Sequence, residues 1–234
     1  MIYIPILGAI ALASGTIIQK KILKDKGMDI KKYITLEFIS IVLVMALFIV
    51  FFWKVSPQAL ETKNIVIFLS VVIISIVANL FMLYSMKWEK VSNLEPAKIL
   101  EPLFVVVLAI MFSFFVEGLY ERNLKIIIPA LIATLALVFS NIKKHHLKFN
   151  KYFISAILGS FFFALELIIS RLILDYYNPF TFYFLRCTFI VIIVLAIFKP
   201  KIKTIKNKTK IKFLSIGAIW AFMRIALYYG YVKF

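Results

Sequence analysis

The chain has little of what stabilises small soluble domains or builds polar active sites. Its one cysteine, Cys187, excludes an intrachain disulfide and a cysteine-based metal site. Acidic residues are scarce, with 11 Asp and Glu against 28 Lys and Arg in 234 residues. We find no phosphate-binding glycine loop, metal-ligand spacing or nucleophile elbow. The sequence therefore predicts that the protein is not an enzyme and holds no cofactor or metal.

What the chain does have is apolar sequence. Hydrophobic residues make up 63% of it, against about 45–50% in an ordinary soluble domain. One water-soluble core cannot bury that much surface, so we expect the lipid bilayer to be the main partner. The net charge of +17 would suggest nucleic acid in a soluble protein. Here the basic residues fall between apolar runs, which favours contact with lipid headgroups and predicts no nucleic-acid binding.

Eight segments are long and apolar enough to be predicted as membrane-spanning helices of about 20 residues. They are Ile2–Ile22, Tyr33–Phe52, Ile65–Met86, Leu94–Phe115, Ile126–Ile142, Tyr152–Leu174, Phe180–Phe198 and Phe213–Val232. The runs are too long, and alternate too little, for the strands of a membrane barrel. We predict an all-α, multi-pass integral protein of the cell (inner or plasma) membrane. Because most Lys and Arg lie in the odd-numbered connections, the positive-inside rule places those connections in the cytoplasm and Met1 outside.

The sequence also contains a weak internal repeat. A shift of 151 positions pairs Gly8 with Gly159, a shift of 149 pairs Leu36 with Leu185, and a shift of 145 pairs Phe68 with Phe213. Five segments separate the copies, and an odd number inverts the second copy in the membrane, as is typical of secondary transporters. We predict a first five-helix repeat at 1–142, a basic linker at 143–151 and an incomplete second repeat of three helices at 152–234.

Several short motifs resemble a known family. They are Leu83-Tyr84-Ser85, Val91-Ser92-Asn93, Glu101-Pro102-Leu103-Phe104, Glu117, Asn178-Pro179 and Phe184-Leu185-Arg186. In these the chain is similar to the drug/metabolite transporter superfamily, specifically its EamA-like branch. The resemblance implies ten helices in two inverted five-helix repeats, with the fourth and ninth helices lining a central cavity. It also implies that the family's last two helices are absent here. The family usually has both termini in the cytoplasm, whereas the distribution of Lys and Arg places Met1 outside. At Glu37 the family often has an arginine.

Charged and polar residues inside the apolar segments are the candidate substrate- or proton-binding residues, because a charge at the bilayer centre costs about 2.5–3.5 kcal/mol on insertion scales. In the second half they are Glu166, Arg186 and Arg224; in the first half they are Glu37, Asn79, Glu95, Lys98 and Glu101. We expect Glu166 to pair with one arginine, leaving the other for an anionic substrate group, and we expect Glu166 or a glutamate of the fourth segment to carry a proton. Lys98 shares a helical side with both Glu95 and Glu101, and Pro96 and Pro102 are expected to kink that helix. A structural ion-pair cluster, interfacial snorkelling, and interhelical bonding by Asn79 are the alternative interpretations.

The sequence thus predicts a secondary transporter, an exporter or importer, for a small polar or amphipathic metabolite, acting by alternating access. Two alternatives stay open: a truncated, inactive transporter fragment, and a non-transporting membrane scaffold subunit. A small-molecule substrate is the expected partner, and a homodimer is compatible with either class.

Overall fold

The structure is a computed structural model that describes residues 3–116, 124–142, 150–200 and 207–233. Within these ranges every regular element is a helix, which confirms the predicted all-α class. The α-helices are α1 (Tyr3–Leu23), α2 (Ile30–Ala46), α3 (Ile49–Phe52), α4 (Thr62–Trp88), α5 (Val91–Lys98), α6 (Leu100–Ser113), α7 (Leu124–Ile142), α8 (Lys151–Leu174), α9 (Pro179–Phe198) and α10 (Asn207–Lys233); a 3₁₀ turn covers Pro57–Leu60. Glu117 and most of the predicted basic linker lie outside the described residues.

Five stretches of the described chain are long and apolar enough to cross a membrane. They are Thr62–Trp88, Val91–Ser113, Lys151–Leu174, Pro179–Phe198 and Thr209–Gly230. The chain is therefore a membrane protein with several apolar helices, while the predicted number of eight spans is not confirmed. The second predicted span differs most clearly, because α2 ends at Ala46 after 17 residues and a turn separates it from α3. Seventeen helical residues reach about 25 Å, short of a hydrocarbon core of about 30 Å.

Polar residues at the ends of the apolar runs set where the helices begin. Asp29 caps α2 by accepting a hydrogen bond from the Lys32 amide at 2.6 Å. Asn178 caps α9 in the same way through the Phe180 amide at 2.8 Å, with Pro179 in the first turn. A capping side chain satisfies one of the amides that the first helical turn leaves without a partner. The two caps are separated by the same 149 positions that relate α2 to α9 in the sequence.

The fourth predicted span is interrupted at Ile99, as Pro102 predicts. α5 ends at Lys98 and α6 begins at Leu100, with Ile99 between them. Pro102 lacks the amide that would bond the Lys98 carbonyl, and its ring displaces that carbonyl. Pro96, by contrast, lies inside α5.

The described chain divides into two compact units, and the first comprises residues 1–72 and 173–234. In this unit α2 packs against α9 and α10, and α1 packs against α10. The helices α2 and α10 cross in backbone contact, since a Cβ on Gly217 would lie 2.7 Å from the carbonyl carbon of Ser40. A glycine at the crossing permits this approach, as small residues commonly do between membrane helices.

Two aromatic ring contacts in the first unit join equivalent positions of the predicted sequence repeat. The rings of Tyr33 and Phe213 lie 5.3 Å apart and join α2 to α10. The rings of Phe182 and Phe68 lie 5.9 Å apart and join α9 to the first part of α4. A shift of 149 carries Tyr33 onto Phe182, and a shift of 145 carries Phe68 onto Phe213. The same pair of equivalent positions is therefore in contact twice.

A short clamp joins two loops of the first unit. Val55 and Tyr177 form an isolated antiparallel bridge, which the Ser56 amide extends by donating to the Tyr176 carbonyl at 2.9 Å. The hydroxyl of Thr181 donates to the Phe52 carbonyl at 2.8 Å and accepts from the Lys54 amide at 3.1 Å. These bonds tie the segment after α3 to the start of α9.

The second unit comprises residues 73–172. Gly159 of α8 lies against the backbone of α4, where a Cβ would be 3.1 Å from the Met82 nitrogen. The Ser155 hydroxyl donates to the Phe81 carbonyl at 2.8 Å, next to the stacked rings of Phe81 and Phe162. Leu108, Ala164 and Ile168 form a buried hydrophobic cluster in this unit. The predicted division into two sequence repeats stays a prediction.

Candidate functional site

Two of the predicted arginines are buried in the first unit, among tyrosines. Arg186 of α9 is 3% exposed and Arg224 of α10 is 8% exposed. The Arg186 guanidinium donates to the hydroxyl of Tyr228 and lies 4.8 Å from the ring centre of Tyr183. Both arginines interact electrostatically with the Tyr183 hydroxyl. The structure thus gathers Arg186, Arg224, Tyr183 and Tyr228 into one cluster, which we call the arginine–tyrosine cluster.

Such a cluster has the chemistry of a site for an anionic or aromatic group. Guanidinium groups offer several fixed donors to carboxylate or phosphate oxygens, and tyrosine rings bind cations and planar groups. The buried setting strengthens each of these interactions relative to water. Cys187, also buried, lies next to Arg186 in α9 and interacts with Tyr183.

Glu37 of α2 lies in the same unit, in a different environment. Its carboxyl is 3% exposed, and Oε1 accepts from Gln19 Nε2 at 3.1 Å and from the Tyr33 hydroxyl at 3.4 Å. The Trp220 indole of α10 approaches the carboxyl without completing a regular hydrogen bond. Glu37 thus joins α1, α2 and α10 through polar contacts.

The remaining predicted residues belong to the second unit. Glu166 of α8 is fully buried, and its Oε1 accepts from the Ser170 hydroxyl at 3.2 Å. The Asn79 amide donates to the Ser75 carbonyl of its own helix at 2.7 Å. The pairing of Glu166 with an arginine stays a prediction, and so does a role for Asn79.

Glu95, Lys98 and Glu101 lie where α5 passes into α6. Lys98 interacts electrostatically with both carboxylates, Glu101 more strongly than Glu95. Glu95 is exposed, while Lys98 and Glu101 are half-buried. Glu95 and Lys98 lie three residues apart within α5 and so share one side of that helix, whereas the break at Ile99 separates Lys98 from Glu101. The mutual neutralisation of the three charges stays a prediction.

Sequence reasoning missed the tyrosines and the neutral polar partners. Tyr183 lies three residues before Arg186, and Tyr33 lies four before Glu37, so helical spacing offered a signal for both. Tyr228 likewise lies four residues after Arg224. Gln19 and Trp220 come from other helices, and no pattern within α2 points to them.

One comparison with known proteins bears on this arrangement. Residues 150–234 match the model of the EamA-like transporter family. This part of the chain resembles the EamA-like family. The matched segment covers α8 to α10 and includes Glu166, Arg186 and Arg224, and the match confirms the resemblance to the drug/metabolite transporter superfamily. The match points to a membrane transporter and is consistent with a protein that is not an enzyme. No curated protein and no solved structure matches the chain significantly.

Proposed function

We propose that the protein is a secondary transporter, in the cell membrane, for a small polar or amphipathic metabolite, acting by alternating access. The observation that carries the proposal is the EamA-like match over α8 to α10, the segment that supplies both buried arginines. Charges buried inside apolar helices are costly to insert, and in transporters they commonly mark a substrate or ion pathway.

The internal geometry of the first unit supports alternating access. The paired contacts Tyr33–Phe213 and Phe182–Phe68, and the paired caps Asp29 and Asn178, follow the offsets of the predicted inverted repeat. In inverted-repeat transporters, two such halves exchange conformations to open the site to each side in turn. The arginine–tyrosine cluster, with its two guanidinium groups, favours substrates that carry a carboxylate or another anionic group.

The test is transport by the purified chain in proteoliposomes. A panel of amino acids, carboxylic acids, nucleosides and amphipathic cations is offered under an imposed gradient, and uptake of labelled compound is measured. We expect at least one anion or zwitterion to be transported, and Arg224→Gln to abolish that transport. Arg171→Gln, which changes an arginine at the end of α8 outside the cluster, serves as the matched control and retains transport.

Two results would contradict the proposal. One is a folded, monodisperse protein that transports no member of the panel, which favours the scaffold or inactive-fragment alternative. The other is an Arg224→Gln variant that transports as well as the unchanged chain.

A further inference from the structure

The two oxygens of the buried Glu37 carboxyl differ in their contacts. Oε1 accepts from Gln19 and Tyr33, whereas Oε2 has no hydrogen-bond partner among the described residues. The side chain is 3% exposed, so other protein atoms surround most of it. A buried polar atom without a partner is expensive, and a buried charge without a partner is more so.

No cation neutralises this carboxyl within the described part of the chain. Its side chain interacts with Gln19 of α1, Tyr33 of α2 and Trp220 of α10, and none of these carries a positive charge. The buried titratable and charged groups on the facing helices α9 and α10 interact with one another around Tyr183; they are Arg186, Cys187, Tyr183, Arg224 and Tyr228. The physically favoured state of an uncompensated buried carboxyl is therefore the neutral acid.

The helices around Glu37 are closely packed. One turn beyond it, the backbone at Ser40 lies so close to Gly217 that a Cβ there would be 2.7 Å away. On the α1 side, a Cβ at Gly15 would lie 3.1 Å from the Trp220 ring. A metal ion such as Ca²⁺ needs six to eight oxygen ligands, and this site has one carboxylate. An organic amine would have to force the three helices apart.

We propose that Glu37 is the site where the transporter takes up and releases its coupling proton. The proposal rests on the transport function proposed above. In the packed arrangement of α1, α2 and α10 the carboxyl holds the proton. When α2 and α10 separate at the Ser40–Gly217 crossing, water reaches the carboxyl, the O–H bond breaks and the proton passes to water, leaving a hydrated carboxylate. Return to the packed arrangement requires that a proton bind again, since the carboxylate is costly to bury.

Trp220 supplies a readout that needs no substrate, because its indole lies beside the carboxyl. The other two tryptophans, Trp53 and Trp88, are exposed and are removed as Trp53→Phe and Trp88→Phe. In detergent or nanodiscs, the emission of Trp220 is followed from about pH 4 to about pH 9, the range in which carboxyl groups in proteins titrate. We expect one titration, lost in Glu37→Gln and retained in Glu61→Gln, which changes an exposed glutamate. Size-exclusion profiles and melting temperatures verify that each variant is folded.

Absence of the titration in the background protein, or its persistence in Glu37→Gln, overturns the inference. A transport measurement then separates the two proposals. For a compound that the proteoliposome panel identifies, we expect Glu37→Gln to retain substrate counterflow but to lose accumulation driven by a pH gradient. Accumulation that Glu37→Gln leaves intact overturns the proton site and leaves the transport function standing. If no compound is transported, the transport proposal fails, while the Trp220 titration still decides whether Glu37 binds a proton.

Discussion

The guanidinium of Arg186 donates a hydrogen bond to the hydroxyl of Tyr228, and this bond ties α9 to α10 inside the first unit. Both side chains are nearly fully buried. The arginine also lies over the Tyr228 ring, 5.7 Å from its centre, so one tyrosine contacts the charge through both its oxygen and its ring. Such contacts keep a buried cation close to groups that stabilise it.

Removal of the Tyr228 hydroxyl tests how much its hydrogen bond with Arg186 contributes to the stability of the protein. Tyr228→Phe keeps the ring and deletes the hydroxyl, so we expect the free energy of unfolding to fall by about 1.5–3 kcal/mol, typical of a hydrogen bond to a charged group. The measurement is thermal or denaturant unfolding in detergent. Tyr229→Phe is the neighbouring control, because its hydroxyl makes only a 3.4 Å contact with Asn178 Oδ1. Equal losses of unfolding free energy in Tyr228→Phe and Tyr229→Phe would contradict the stabilising role given to the Tyr228 hydroxyl.

The crossing of α2 and α10 predicts strong sensitivity to a single methyl group. Gly217→Ala places a Cβ within 2.7 Å of the Ser40 backbone, which cannot yield as a flexible side chain does. We expect destabilisation of about 1–3 kcal/mol, the usual cost of overpacking. Gly230→Ala, where a Cβ meets nothing within 4 Å, is the control in the same helix and is expected to be neutral or slightly stabilising. Melting temperatures of the two variants that do not differ would show that the helices do not cross this closely.

The loop clamp predicts a distinct role for Thr181. Thr181→Val keeps the shape of the side chain but removes the hydroxyl that bonds both the Phe52 carbonyl and the Lys54 amide, so we expect a loss of about 1–3 kcal/mol. Hydrogen exchange of the amides of residues 54 and 56 is expected to accelerate. Thr188→Val is the matched control, since the Thr188 hydroxyl bonds only the Phe184 carbonyl of its own helix. Unchanged exchange at residues 54 and 56 would contradict the role given to Thr181.

The two equivalent ring pairs predict two similar mutational responses. Phe68 and Phe213 are both buried and contact Phe182 and Tyr33, respectively. We expect Phe68→Ala and Phe213→Ala each to destabilise by about 3–5 kcal/mol, because each leaves a cavity against an aromatic partner. Phe222→Ala, at an exposed position of α10, is the control. A large loss in one variant with none in the other would contradict the equivalence.

Composition and the length of the apolar runs were enough to predict a helical membrane protein, because lipid forces backbone groups to bond within each segment. The prolines of the fourth segment also predicted a break there, because a proline acts on the backbone next to it. The caps Asp29 and Asn178 act just as locally, but they were recognised only in the structure. The number of membrane spans was harder to predict from the sequence than the helical fold class. The interruption of α2 at Leu47 falls within a continuous apolar run, where no proline or glycine marks it.

The sequence by itself determined that charges are buried in this protein, because Glu37, Glu166, Arg186 and Arg224 stand inside apolar runs too long to be anything but helices in lipid. Only the tertiary structure decided what surrounds them. It placed Arg186 and Arg224 among tyrosines. Among the residues that the structure describes, it also left one oxygen of Glu37, beside Trp220, without a hydrogen-bond partner. The physical reason is that side-chain partners come from helices far apart in the chain. The apolar pattern of a segment predicts that its helix is buried. Which polar groups come into contact depends on how closely the backbones of two helices approach, as they do at Gly217 and Ser40.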